Sequence, residues 1–188
     1  TTYMSGIVGQ SDNVYLGGYP GPLREMAGVW VEEIDALAPE QKNKAKFVDG
    51  SEAECGLLCD LMHLEGAEAL ASYEDDFYAG MPAASRNSYG KGKTYYIATM
   101  FEEDGLAKIL DQAVSEAGVH PVIPEQTGLE VVTRVSDTTR FYYVMNFTDE
   151  EQVLPESLAG KKDMINGKMT ETGMKLKKWD VLLLEENL

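Results

Sequence analysis

The most reactive side chains, those of Cys55, Cys59 and His63, lie close together in the sequence. A cysteine beside a histidine can act as a nucleophile paired with its base, and the two residue types together can bind zinc. A nucleophilic cysteine needs a tight turn between a strand and a helix with flanking glycines, and Cys59 has no adjacent glycine. A zinc site needs four ligands, and the other histidine, His120, falls in a predicted linker. The sequence therefore predicts no catalytic residue, no metal site and no cofactor, and it predicts two buried free thiols.

Two other patterns with catalytic potential each lack a requirement of the chemistry. The glycine-rich segment Gly17–Pro22 lacks the Gly-Lys-Ser/Thr ending of a phosphate-binding loop, and its prolines remove backbone donors. Adjacent acids such as Glu32 and Glu33 cannot both face one sugar bond, because neighbours on a strand point to opposite faces. We therefore expect a rigid turn at Gly17–Pro22 and solvated charge at the acidic pairs.

The composition indicates a globular protein, with 44% hydrophobic and 26% charged residues. The formal net charge of -16 repels nucleic acid phosphates and anionic membrane surfaces. The sequence has no apolar run of about 18 residues and no basic region followed by an apolar block at its start. We therefore expect a cytoplasmic protein without a nucleic acid or membrane partner. Because it begins at Thr1 without an initiator methionine, we expect a fragment of a longer chain.

One segment has the periodicity of an amphipathic helix. Its apolar residues recur at the spacing of one helical face: Leu106, Ile109, Leu110, Ala113, Val114 and Ala117. Thr99 and Glu102 predict a capping box before this helix, and Gly118 predicts its end. The strand predicted at Lys93–Ala98 leads directly into the helix, which is typical of α/β folds.

The chain is predicted to divide into a domain at residues 1–118, a linker at 119–124 and a domain at 125–188. The linker follows Gly118 and contains two prolines, which is typical of a helix end followed by a connection. In the last part, Leu129–Val135 and Phe141–Phe147 predict a hairpin within a small antiparallel β domain. At the other end, Thr1–Met4 predicts the tail of a further strand.

Several blocks of the chain resemble a known family. Ser5–Leu37, reading SGIVGQSDNVYLGGYPGPLREMAGVWVEEIDAL, is similar to the middle domain of glycoside hydrolase family 42, a family of bacterial β-galactosidases. Asp60–Glu68 and Asp75–Ala83 resemble later blocks of that domain in the same order, and Trp179–Leu184 resembles the small β domain that follows it. The resemblance implies an α/β domain of flavodoxin-like or class I glutamine amidotransferase-like fold, incomplete at its N-terminus, followed by a small antiparallel β-sandwich.

The resemblance also implies what the chain does. Intact enzymes of this family carry an N-terminal TIM barrel in which two glutamates release terminal β-galactose by a retaining mechanism. That barrel is absent from this sequence, so no catalytic residue can be transferred to it. The middle domain of the family assembles homotrimers, and the expected partners are therefore other subunits, the missing barrel and, for the parent enzyme, a galactoside substrate.

Four residues have the aromatic, apolar or arginine character that is favoured at protein interfaces: Tyr19, Leu23, Arg24 and Trp30. We expect this region to contact either the missing barrel or a neighbouring subunit. Two alternatives remain open at this point. One is a free-standing carbohydrate-binding module that uses exposed tyrosines, and the other is a degenerate amidotransferase-like enzyme that uses a cysteine with His63.

Overall fold

The computed structural model describes residues 4–125 and 127–188, which fold mostly as antiparallel β-sheet. These residues divide into two compact units, with the boundary between Gly118 and Val119. The strand predicted at Thr1–Met4 falls largely outside the described residues. Neither α-helix in the described part of the chain is long and apolar enough to cross a membrane.

The first unit is built on a seven-stranded sheet with the order β1-β3-β2-β4-β5-β6, in which β7 also pairs with β3. Its strands are β1 Val29–Ala36, β2 Asn43–Phe47, β3 Glu52–Leu64, β4 Glu68–Tyr73, β5 Pro82–Tyr89, β6 Gly92–Ile97 and β7 Thr99–Phe101. Its helices are a 3-10 turn at Gly21–Leu23, a short α1 at Arg24–Ala27 and α2 at Glu103–Glu116.

The predicted α/β, flavodoxin-like or amidotransferase-like fold is wrong for this unit. Every strand pair in the described sheet is antiparallel. Parallel strands need crossovers of a dozen or more residues, usually helical, whereas most strands here follow one another after short turns. The long helix α2 is not a crossover, because no described strand of this unit follows it. A strand that leads into a helix therefore did not indicate a parallel sheet.

The helix α2 differs from its prediction at one end and agrees with it at the other. The predicted capping box is absent, since Thr99 lies in β7 and its hydroxyl donates to the Gly56 carbonyl at 3.3 Å. Glu102 is the N-cap residue and makes no capping side-chain hydrogen bond. At the other end, Gly118 adopts a φ of +65° and its N–H donates to the Ser115 carbonyl at 3.1 Å, which confirms the predicted stop.

The apolar face predicted for α2 is only partly covered. Ile109 is buried against the sheet, where it joins a core cluster that includes Phe47 and Phe101. Leu106 and Leu110 are 39% and 50% exposed. Periodicity thus identified the helix but not how much of its face is packed within the chain.

The second unit contains a four-stranded antiparallel sheet of order β11-β13-β9-β8 and a two-stranded ribbon of β10 and β12. Its strands are β8 Glu130–Val135, β9 Thr139–Met145, β10 Gln152–Val153, β11 Lys162–Asp163, β12 Lys175–Leu176 and β13 Val181–Asn187. The predicted hairpin is confirmed, because β8 and β9 pair with Val132 opposite Tyr143. The sheet and the ribbon share a core whose most buried members include Val144, Leu158 and Leu184.

Gly28 lies at the C-terminal end of α1, where the backbone packs closely against the sheet. It has a φ of +65°, its N–H donates to the Arg24 carbonyl, and its own carbonyl accepts from Glu65 and Ala67. An added Cβ would lie 2.6 Å from Cγ of Asn87 and 2.9 Å from the Ala67 nitrogen. We expect Gly28→Ala to lower the free energy of unfolding by about 3 kcal/mol, through left-handed strain and overpacking together.

Chemical denaturation of both variants checks this prediction, with Gly50→Ala as the matched control. Gly50 also has positive φ, at +87°, but nothing lies within 4 Å of its would-be Cβ. The control should therefore lose only the strain component of about 1–2 kcal/mol. Equal losses in the two variants would contradict the proposed close contact.

Candidate functional site

Arg24 and Trp30, two of the residues predicted to form an interface, lie together on the surface of the first unit. The guanidinium carbon of Arg24 is 5.6 Å from the centre of the Trp30 ring. Both side chains donate to the carbonyl of Gly17, Trp30 through Nε1 at 3.0 Å and Arg24 at 3.3 Å. The turn predicted at Gly17–Pro22 thus supplies the acceptor that joins them.

The register of the sheet brings three further side chains to this surface. Trp30 on β1 stands opposite His63 on β3, and their rings stack with centroids 4.8 Å apart. His63 Nε2 lies 2.9 Å from a carboxylate oxygen of Glu32, which occupies an irregularity in the pairing of β1 with β3. Arg24 forms a two-pronged ion pair with Glu65, whose Oε2 accepts from Nε at 2.5 Å. We call these five residues the Arg24–Trp30 surface.

The electrostatics of this surface follow from its ion pair. Hydrogen bonding to Glu65 raises the pKa of Arg24, and the guanidinium in turn lowers the pKa of Glu65. Both side chains are 40% exposed, so solvent screens the pair and its main contribution is geometric. The planar fork of Arg24 is held in one orientation against the Trp30 ring. His63 has both of its described partners, Trp30 and Glu32, within this surface.

Tyr19 and Leu23, the other two predicted interface residues, are placed differently. The Tyr19 side chain turns inward, and its hydroxyl donates to Asp60 at 2.7 Å. Its carbonyl accepts from the N–H of Val31 at 2.7 Å, which ties the turn to β1. Leu23 is half-buried in the 3-10 turn. The structure therefore brings Arg24 and Trp30 together, whereas Tyr19 anchors the turn that precedes α1.

Asp60 is the residue of this region that the sequence did not identify. It is fully buried on β3 between two phenols, accepting from Tyr19 and from Tyr96 at 2.7 Å each. Burial raises the pKa of Asp60 to about 6, and the two hydroxyl donors oppose that rise. An acid between Cys59 and Leu61 in an apolar run was the available signal, but its partners are distant in sequence.

The two cysteines are buried and unbridged, as predicted. Burial raises the pKa of the Cys55 thiol to about 12, so its reactive thiolate is not populated near neutral pH. Cys59 Sγ lies 3.5 Å from the hydroxyl of Thr99. Within residues 4–125 and 127–188, no group of three His, Cys, Asp or Glu side chains is arranged to hold a metal ion.

The buried carboxyl of Asp60 should give the unfolding free energy a distinct pH dependence. Its pKa in the fold is raised above its ordinary value of 3.8, so the folded state binds the proton more tightly than the unfolded state. Its contribution to stability therefore falls as pH rises from about 4 to 6, by about 3 kcal/mol in total. Asp60→Asn, which stays neutral, should lose this component.

Denaturation profiles of the wild type and Asp60→Asn between pH 4 and pH 8 measure the effect as a difference. The subtraction cancels the opposite slope from carboxylates with lowered pKa, such as Glu116. We expect the wild type to lose stability relative to the variant as pH rises. Two parallel profiles would contradict the assignment, and Tyr96→Phe should lose more stability than the wild type as pH rises, because it removes a donor that lowers the pKa of Asp60.

Comparison with known proteins accounts for both units. Residues 1–120 match the family 42 glycoside hydrolase domain described as the β-galactosidase trimerisation domain, and residues 128–186 match the β-galactosidase C-terminal domain. The β-galactosidase LacA of Lactobacillus acidophilus is 45% identical over 98% of this chain, which covers 27% of that relative. BgaA of a Planococcus species is 40% identical, with 98% and 28% of the two chains covered.

A solved structure agrees with these relatives. The crystal structure of the β-galactosidase from Bacillus circulans sp. alkalophilus superposes with a TM-score of 0.86 at 37% identity, over 98% of this chain and 28% of that one. The chain thus spans about a quarter of the length of the proteins it matches. It belongs to the glycoside hydrolase family 42 β-galactosidases and comprises their trimerisation and C-terminal domains.

Proposed function

We propose that this chain is the non-catalytic assembly portion of a retaining β-galactosidase that hydrolyses terminal β-galactosides. The catalytic TIM barrel precedes it in the parent enzyme. The observation that carries this proposal is that two consecutive domains of the family match a chain that covers only 27% of LacA, a relative 45% identical to it. The substrate and the chemistry belong to the rest of the parent protein.

The state of the reactive side chains supports assembly over an amidotransferase-like activity. Cys55 is buried with a raised pKa, so it is a poor nucleophile. The contacts of His63 are ring stacking on Trp30 and a hydrogen bond with Glu32, and neither involves a thiol. The fold that suggested an amidotransferase is also not the one observed.

The Arg24–Trp30 surface is the proposed contact with the barrel or with a neighbouring subunit of a homotrimer. Interfaces favour Trp and Arg, and their affinity rises when the side chains are already ordered before association. Here Trp30 is fixed by ring stacking and by its bond to Gly17, and Arg24 is fixed by Glu65. Tyr19 and Leu23 act in this proposal by holding the turn that leads into α1, whose first residue is Arg24.

The proposal includes a cytoplasmic location and no nucleic acid or membrane partner. Two buried free thiols suit a reducing compartment. The net charge of -16 disfavours phosphate backbones and anionic lipid surfaces.

The intact mass and the activity of the native gene product test the proposed parentage. We expect a subunit mass far above the 20.7 kDa of this chain, with hydrolysis of a chromogenic β-galactoside. An inactive product of 20.7 kDa would overturn the proposal and leave a separate binding or scaffold protein.

Trp30→Ala in that gene product tests the proposed contact. Truncating a central aromatic residue of an interface costs about 2 kcal/mol or more, which corresponds to roughly 30-fold weaker association. If Trp30 contacts another subunit, sedimentation should show smaller species at concentrations where the wild type is assembled. If it contacts the barrel of its own chain, the thermal midpoint of the enzyme should fall instead.

Tyr89→Ala is the matched control for this experiment. Tyr89 is also an aromatic residue on a strand of the first unit and is 47% exposed. It should change neither the assembly nor the thermal midpoint. A Trp30→Ala enzyme indistinguishable from the control in both measurements would exclude the Arg24–Trp30 surface as a contact.

A further inference from the structure

Two exposed aromatic side chains meet on the second unit, from separate loops. Phe147 follows β9 and is 51% exposed, and Trp179 precedes β13 and is 63% exposed. Their ring centroids are 5.7 Å apart at an interplanar angle of 63°. We call the two rings the Phe147–Trp179 platform. Aromatic rings that contact each other and still remain exposed to solvent are typical of a binding surface.

A fully buried asparagine fixes the two loops of the platform. The side-chain amide of Asn146 donates to the Glu150 carbonyl at 2.8 Å and to the Leu176 carbonyl at 3.0 Å. Its side-chain oxygen accepts from both the N–H and the hydroxyl of Thr148. Its backbone carbonyl accepts from the N–H of Trp179 at 2.8 Å. One residue therefore sets the positions of both aromatic loops before any ligand arrives.

The backbone at Trp179 is strained. Its φ is +68°, a conformation that is uncommon for any residue with a Cβ and a real outlier for a bulky one. The turn is held closed from both ends, because Lys177 N–H donates to the Asp180 carboxylate at 2.7 Å and Asp180 N–H donates to the Lys177 carbonyl at 3.0 Å. Strain of this kind persists where the surroundings impose it, and it is frequent at ligand clamps. Here it directs the indole outward.

Two charged groups of opposite sign border the platform. The Lys178 ammonium lies over one face of the Trp179 ring, 5.1 Å from its centroid. It also forms an ion pair with Asp149, whose side chain is 83% exposed. The margin therefore offers a donor and an acceptor beside an apolar surface, without the excess positive charge that an anionic ligand would need.

We propose that the Phe147–Trp179 platform binds a sugar ring of a neutral saccharide. A pyranose combines a flat face of C–H groups, which packs on an aromatic ring, with hydroxyls that both donate and accept at its edge. The apolar rings match the first feature, and Lys178 with Asp149 match the second. The site would hold the saccharide without cleaving it. It lies within the second unit and is independent of the assembly role proposed above.

The chain contains two tryptophans, Trp30 and Trp179, so binding at the platform can be measured by tryptophan fluorescence. In a Trp30→Phe variant, Trp179 is the remaining indole, and its fluorescence can be followed while lactose is added to the 188-residue chain. For an open platform we expect a saturable change with a dissociation constant on the order of 1–10 mM. No saturable change up to well above that range would overturn the proposal.

Trp179→Gly removes the indole while retaining the fold, because glycine adopts the left-handed conformation without strain. Ligand-observed NMR with lactose, which needs no tryptophan, should show binding weakened by about tenfold or more in this variant. Phe147→Ala should weaken it in the same direction. Circular dichroism confirms that each variant is folded.

Phe77→Ala is the matched control. Phe77 is 75% exposed and also meets another aromatic ring, Tyr78, edge to face, but it lies in the first unit. Its removal should leave lactose binding unchanged. Equal binding by wild type and Trp179→Gly would overturn the proposal. So would concentration-dependent self-association that Trp179→Gly abolishes without any effect of lactose, since the platform would then be a protein contact.

Discussion

The first unit depends on the hydrogen-bonding of one strand, β3, which exchanges bonds with β1, β2 and β7. Its first part, Glu52–Cys55, pairs with β2, and its second part, Leu58–Leu64, pairs with β1. Between them, Leu57 adopts a φ of +63° and is half exposed, at the point where the pairing with β7 also shifts. An irregularity of this kind lets one strand change partners while its backbone groups remain paired.

The same strand links the core to the surface. Asp60 is buried, where it accepts hydrogen bonds from Tyr19 and Tyr96. His63, three residues later on the same strand, belongs to the Arg24–Trp30 surface. The turn that leads into α1 and Arg24 is therefore anchored by a buried polar contact and not by apolar packing alone. Such an anchor is directional, so it selects one loop position more strictly than a hydrophobic contact of similar strength. The cost is a carboxyl held away from water, which the two phenols offset in part.

Local features of the structure could be predicted from the sequence, whereas the order of the strands in the sheet of the first unit could not. The Gly118 helix end, the hairpin of β8 and β9 and the buried thiols each depend on a few neighbouring residues. The order of the sheet depends on which distant strands meet, and a strand followed by a helix is compatible with either parallel or antiparallel pairing. The strand Pro82–Tyr89 was missed because its small and polar residues lack the branched and aromatic character that signals a strand.

The candidate surface was predictable by residue type but not by geometry. Trp and Arg are residue types favoured at interfaces, which is why Trp30 and Arg24 were predicted to lie at one. The structure adds the register that stacks Trp30 on His63. The role of Asp60 was not accessible, because its partner phenols lie 41 and 36 positions away. The Phe147–Trp179 platform could not be predicted either, since neither the contact between its loops nor the φ of Trp179 is apparent in the amino-acid sequence.

The order of strands in the second unit ties its folding to protein synthesis. The last strand, β13, does not lie at an edge of its sheet but between β11 and β9, where Leu184 pairs with Tyr142 on one side and Asp163 on the other. β8 and β9 can form a hairpin as soon as they emerge, but β11 has no place in the sheet until β13 arrives. The described sheet of the first unit has no such dependence, because its last strand, β7, ends at Phe101 and pairs with β3, which precedes it in the chain. Folding would then proceed from the first unit to the second, whose four-stranded sheet closes only after Val181–Asn187 has been synthesised.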